Sequence, residues 1–260
     1  MKVTRAHLAA ASLLALTIAC RPTPPPAIDP AMASCAPPST TLLAGLDLDR
    51  LRSSALYSKL PPAAMLLLEP YREARYLMLA SDGRNLLAIA RGPFHQAPAD
   101  ATLLAADLAI AGDPGSLKAA AAQHRTGKPG VPGLIAGAAA IAPGTQIWIV
   151  AQGGITLPLG GNAANLNRLL RNSEFAAISG RLDSQIELAA TALGRTPDAA
   201  RQVEETMRAA ITLAAAAEAR QPELAALLKS IQITRDGRTV RAAVSASPDA
   251  AQKLFHELAP

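Results

Sequence analysis

Aromatic residues are nearly missing from this 260-residue chain: Phe, Tyr and Trp together make up 3% of it, with a single Trp. Stacking platforms for single-stranded nucleic acid or sugar rings need such side chains, so their scarcity argues against both ligands. Cysteine is also sparse, at two residues, Cys20 and Cys35. That pair has no metal-ligand spacing and can form at most one disulfide. Charged residues amount to only 17%, and no run of Lys or Arg forms a phosphate-tracking stripe. Over residues 197–217, Arg201 and Arg208 instead alternate with Glu204 and Glu205. This is a solvated helix face with local ion pairs, so nucleic acid is not an expected partner.

Residues that carry catalysis are few. Of four His, His7 lies at the extreme N-terminus, His95 and His124 in Pro/Gly-flanked loops, and His256 near the C-terminus. None has a second His or a carboxylate at zinc-ligand spacing, and all read as exposed. Asp47 and Asp49 could pair as carboxylates, but their spacing of two puts both on the wet face of a strand. Gly127-Lys128-Pro129-Gly130 fails as a phosphate loop, because Ala122 stands at the first Gly position and Pro129 at the Ser/Thr position. Gly153-Gly154 and Gly160-Gly161-Asn162 follow a strand and precede a helix, the context for anion binding, yet read as two tight turns. The sequence has no Gly-x-Ser-x-Gly elbow and no Ser-x-x-Lys. The expectation is a non-enzyme with no catalytic residue, cofactor or metal.

What is present begins at the N-terminus. Lys2 and Arg5 form a basic region, residues 8–18 an apolar run, and Ala19-Cys20 a small-residue cleavage point. These are the parts of an export signal, too short for a permanent bilayer span. In this order residues 1–19 and Cys20 resemble a bacterial lipoprotein signal. The resemblance implies lipidation of Cys20 with acyl chains such as palmitate. It also implies membrane attachment in the cell envelope, with the outer membrane favoured over the inner because Arg21, not Asp, follows the Cys. The alternative is cleavage after Ala19 by an ordinary signal peptidase. Lys2 and Arg5 leave with the signal, and the formal charge falls from +5 to +3.

Residues 20–41 are rich in Pro, Ala, Ser and Thr without helical or strand period, which predicts an extended tether and a folded region from 42 to 260. Cys35 would then be an odd cysteine in a flexible, oxidising setting.

Two Asp-Gly hairpins punctuate the folded region. Residues 76–80 and 85–91 flank the first, and Ile231 to Arg235 and Arg238 to Ser245 flank Asp236-Gly237. In a two-residue turn Ile233 faces Val240, leaving one face apolar and the other polar, as in a sheet covered on one side. Further strands are predicted at 45–49, 107–111, 146–151 and 175–181, helices at 54–68 with an interruption at Pro61-Pro62, 116–123, 165–171 and 197–217, and a strand followed by helix over 185–229. Asp113-Pro114, Thr196-Pro197 and Ser247-Pro248 are helix-starting caps.

The predicted class is α+β: antiparallel hairpins with helices on one face, arranged as duplicated β-α-β-β-α, ferredoxin-like modules at about 42–141 and 142–260. The functional expectation is a non-catalytic envelope lipoprotein that binds or scaffolds another protein. The alternative is a secreted or periplasmic carrier of a small hydrophobic ligand. An interaction surface is expected on the Ala/Leu-rich stretch 213–228, unless those helices are buried on both faces.

Overall fold

A computed structural model of the chain describes residues 28–60, 62–97, 100–141, 143–155, 165–217 and 221–248. Cys20, His256 and Gly160-Gly161-Asn162 lie outside the described residues. Ten strands form one sheet: β1 (Leu42–Asp47), β2 (Tyr76–Ser81), β3 (Leu86–Arg91), β4 (Ala101–Ala105), β5 (Leu108–Gly112), β6 (Ile147–Gln152), β7 (Ser173–Leu182), β8 (Ile186–Gly194), β9 (Gln232–Asp236) and β10 (Thr239–Ala246). Their order is β4-β5-β3-β2-β1-β6-β7-β8-β10-β9, and all nine ladders are antiparallel.

The expected α+β class is therefore what the chain adopts. Read outward from the central β1–β6 pair, the halves run β1-β2-β3-β5-β4 and β6-β7-β8-β10-β9, the same order twice.

The described helices are α1 (Pro30–Ala33), α2 (Leu48–Ser53), α3 (Pro62–Leu68), α4 (Pro114–His124), α5 (Pro132–Ala139), α6 (Asn165–Asn172), α7 (Pro197–Ala217) and α8 (Pro222–Lys229). Cap chemistry starts several of them. The Asp113 carboxylate accepts from the Ser116 hydroxyl and from the Gly115 and Ser116 amides. These bonds, the Ser116 side chain first, hold its pKa below the ordinary value. The Thr196 hydroxyl accepts from the Ala199 amide at 3.1 Å and starts α7.

The tether is shorter than its composition implies. Ile28, Met32, Cys35 and Ala36 are buried in the same core as Met78, Ile89 and Leu134, and Asp29 caps α1 and pairs with Arg91 at 3.2 Å. The fold thus includes residues 28–41, because α1 carries apolar side chains that a composition rich in Pro and Ala conceals. Asp47 and Asp49 do not share a strand face either: Asp47 ends β1 and accepts from the Arg50 amide as the cap of α2, while Asp49 lies inside that helix.

Both hairpins form, with other turns. The first has a four-residue loop between Ser81 and Leu86, in which the Asp82 carboxylate accepts from the Arg84 and Asn85 amides. In the second, Asp236 pairs with Thr239 and Ile233 with Ala242 rather than Val240. The slide is by an even number of positions, so the apolar set stays on its face.

Helices cover both faces of the first half, not one. Leu43, Met78, Ile89, Ile110 and Val150 face α1, α4 and α5. On the opposite face Leu77, Ala88, Ala90 and Ala109 meet Leu48, Leu51, Leu56 and Phe94. Gly45 lets the Trp148 indole lie against β1, since a Cβ there would overlap the ring, and the indole N–H donates to the Tyr76 hydroxyl at 2.6 Å. In the second half one face of β8–β10 is packed: Ala192, Ile233, Val240 and Ala242 bury against Ala200 and Val203 of α7. The other face presents Thr191, Thr234, Arg241 and Ala243, partly or fully exposed. This polar face matches the single-sided pattern read in the hairpin.

Candidate functional site: the groove between α7 and α8

α7 docks on the sheet through Ala200, Val203, Met207 and Ile211, a 3-4-4 spacing that keeps them on one helix face. Close approach is enforced at Gly194, where a Cβ would sit 2.6 Å from the Ala200 amide nitrogen. A second stripe of α7, continuing from Arg208 through Ile211 and Thr212 to Ala215 and Ala216, faces Pro222, Ala225, Ala226 and Lys229 of α8. Ile231 and Ile233 complete an open groove of about 840 Å³. Ala215, Ala225 and Ile233 are buried at its floor, while Thr212, Ala216, Ala226 and Lys229 are exposed at its rim. Alanine on both helices leaves the space that larger side chains would fill.

The connection between the two helices is short, so they run antiparallel. Arg208, early in the α7 stripe, and Lys229, last in α8, therefore fall at the same end of the groove. There the Arg208 guanidinium donates to Glu204 at 3.1 and 2.9 Å and to the Ile233 carbonyl at 2.8 Å. Arg235 of β9 donates to the other oxygen of Glu204 at 2.9 Å. Hydrogen bonds from Arg208 and Arg235 hold the Glu204 carboxyl below its ordinary pKa. Lys229 makes no ion pair or hydrogen bond among the described residues. Two cations thus share one carboxylate and Lys229 adds a third positive charge, an excess at one end of an apolar trough.

The stretch 213–228 divides between burial and solvent. Leu224 and Ala225 are buried, Leu227 and Leu228 half-buried, and Leu213 is 72% exposed. An apolar residue in every direction is thus explained by three environments: the packed interior, the groove and solvent. Lys229 just beyond the stretch is the site residue the sequence reading passed over, and its place three residues after Ala226 was the available signal.

Other predicted positions stay apart. The His95 side chain is exposed and 3.7 Å from Glu73. His124, expected to be exposed, ends α4 half-buried, with Nδ1 at 2.8 Å from the Ser34 hydroxyl and 3.6 Å from the Cys35 sulfur. Burial first, and Asp29 second, push the Cys35 thiol up to about 12, so it is not a thiolate nucleophile at neutral pH. The Gly153 and Gly154 amides donate to the Glu174 and Leu170 carbonyls, which leaves neither to an anion. A polar pocket of about 440 Å³ lies between α2 and the end of β7, lined by Arg50, Gln146, Arg181 and Asp183. Its cations are paired with Asp47 and Glu187, and buried Gln146 is bonded to Asp183 and the Leu182 amide. Among the described residues no three His, Cys, Asp or Glu side chains gather as a metal-holding group, and no helix is long and apolar enough to cross a membrane.

This architecture defines a class, a continuous antiparallel α+β sheet with a helix-pair groove near one edge. No protein-family model and no curated protein matches the sequence. The chain is similar in fold to the structure of crystal form I of TP0453, at 8% identity and a TM-score of 0.50, over 90% of this chain and 99% of that one. Crystal form III of TP0453 is similar at 7% identity and a TM-score of 0.51, over 88% of this chain and 98% of that one. At such identity the likeness is one of fold alone.

Proposed function

We propose that this is a non-catalytic binding protein of the cell envelope, exported by residues 1–19, anchored to the membrane through lipid on Cys20, with the outer membrane its favoured address. It recognises an envelope protein through the α7–α8 helix pair. One observation carries this reading: an open apolar groove, flanked by the exposed Leu213, lies between α7 and α8 on the half of the sheet that the described helices cover on one face. The test is a photo-crosslinking residue placed at Leu213 or Ala226 in cells. A defined envelope protein captured there, and not from Ser53 on the other half, supports it. Equal capture from all three sites, or none, overturns it. The anchor has its own test, the intact mass of the chain from the membrane fraction: acyl mass on a chain starting at Cys20 supports the tether, and an unlipidated chain removes it.

A second reading, a carrier of a small hydrophobic ligand, is favoured by the groove's Ala and Ile lining and by its volume, within the range of ligand sites. The identical strand order of the two halves supports descent from a duplicated module, at about 42–141 and 142–260.

A further inference from the structure

We infer that the α7–α8 groove binds a single-chain anionic amphiphile, with a carboxylate head held by Lys229 beside Arg208 and the chain lying toward Ala216 and Pro222. The inference rests on the carrier reading of this groove and names its ligand class.

Three features of the groove converge. Its interior is hydrocarbon: Ile211, Ala215, Ala225, Ile231 and Ile233 offer apolar surface and no hydrogen-bonding side chain. Its charged lining residues are Arg208 and Lys229, at one end, and there Arg208 shares the carboxylate of Glu204 with Arg235. Arg208 and Arg235 are already committed to Glu204, so Lys229 is the group left to meet a ligand. A neutral chain would leave that charge unanswered, and a dianionic or bulky head would outrun one ammonium; a compact monoanion fits. The length also constrains the ligand. From Arg208 to Ala216 the groove follows little more than two helical turns, or about 12 Å at 1.5 Å per residue. That suits a medium-length chain such as decanoate's.

The experiment is calorimetric titration of the purified mature chain with octanoate, decanoate and decanol in detergent-free buffer. Each methylene added up to decanoate is expected to tighten binding by about fourfold, the increment for burying one CH2. Decanoate should bind about tenfold more tightly than decanol, and Lys229→Gln should abolish that difference by weakening decanoate. Ala226→Trp fills the groove from its exposed rim, so the fold is kept and both ligands are lost. The inference is overturned if decanoate does not bind, if decanol binds as well as decanoate to the parent chain, or if Ala226→Trp binds as before. Capture of an envelope protein from Leu213 alongside absent decanoate binding would sink this inference and leave the protein-recognition reading standing. Decanoate binding without such capture would do the reverse.

Discussion

The two halves of the sheet share a strand order and differ in how they are covered. In the first half β3 is buried at four successive positions, Leu87 to Ala90, because helices lie on both sides of it. In the second half β10 alternates between buried and exposed residues from Val240 to Ala243, because among the described residues α7, with Leu169 of α6, packs over that region on one side. The same topology therefore supports a three-layer half and a half with one wet face. The groove occurs in the thinner half, where two helices can part without opening the main core.

The largest test of this contrast is Gly45→Val in β1. It drives a branched side chain into the Trp148 indole, and no folded protein is expected by far-UV circular dichroism, since overpacking in so dense a site costs about 3 kcal/mol or more. A folded variant with the parent melting temperature would break the two-sided packing account.

A matched pair of truncations comes next. Ile89→Ala, at a position with no exposure, should cost about 4 kcal/mol in urea unfolding, and Ile233→Ala, on the outermost strand, about half as much. Equal losses would mean that the halves are equally packed.

Titration separates the halves as well. Burial pushes Cys35 from 9.0 to about 12 and Tyr76 from 10.0 to about 12, and both belong to the first half's core. For groups raised in this way the unfolded chain ionises first, so stability is complete below pH 9 and falls as pH rises toward 12. Glu204 has the opposite sign. Its depressed carboxyl stabilises the attachment of α7 to β9 above the ordinary value of 4.5, and this is lost as pH falls through the lower native value. Hydrogen exchange should thus find β9 opening first in acid, and Glu204→Gln should remove that acid response. Acid loss of β9 protection that persists unchanged in Glu204→Gln would contradict the assignment.

The smallest effects are expected at the exposed apolar residues. Leu66→Ser and Leu213→Ser, at 73% and 72% exposure, should each change stability by no more than about 0.5 kcal/mol. A larger cost at Leu213 alone would show that the α7–α8 pair is part of the core.

Much of the fold was legible in short-range signals. Asp113-Pro114 and Thr196-Pro197 marked helices that form, and the alternation from Ile231 to Ser245 marked a hairpin with one packed face. β4 and α5 were not read: β4 is a short edge strand with little burial, and α5 is Ala/Gly-rich without a polar face. The turns were found and their registers were not, because Asp82 closes a longer loop with its own carboxylate. Of the site, the apolar stretch 213–228 was visible, but its division between floor, rim and solvent depends on where β9 and the sheet lie.

The sequence by itself determined most of the secondary elements, the antiparallel pairing of hairpin strands and the apolar face of the β9–β10 hairpin, since these follow from local propensity and from periods of two and 3.6. The tertiary structure decided that the two hairpin sets join through β1 and β6 into one sheet, and that residues 28–41 belong to it. It also decided that Glu204, Arg208, Lys229 and Arg235 gather at one end of a groove. Those outcomes depend on contacts between residues far apart in the chain, and no local pattern encodes which distant surfaces will meet.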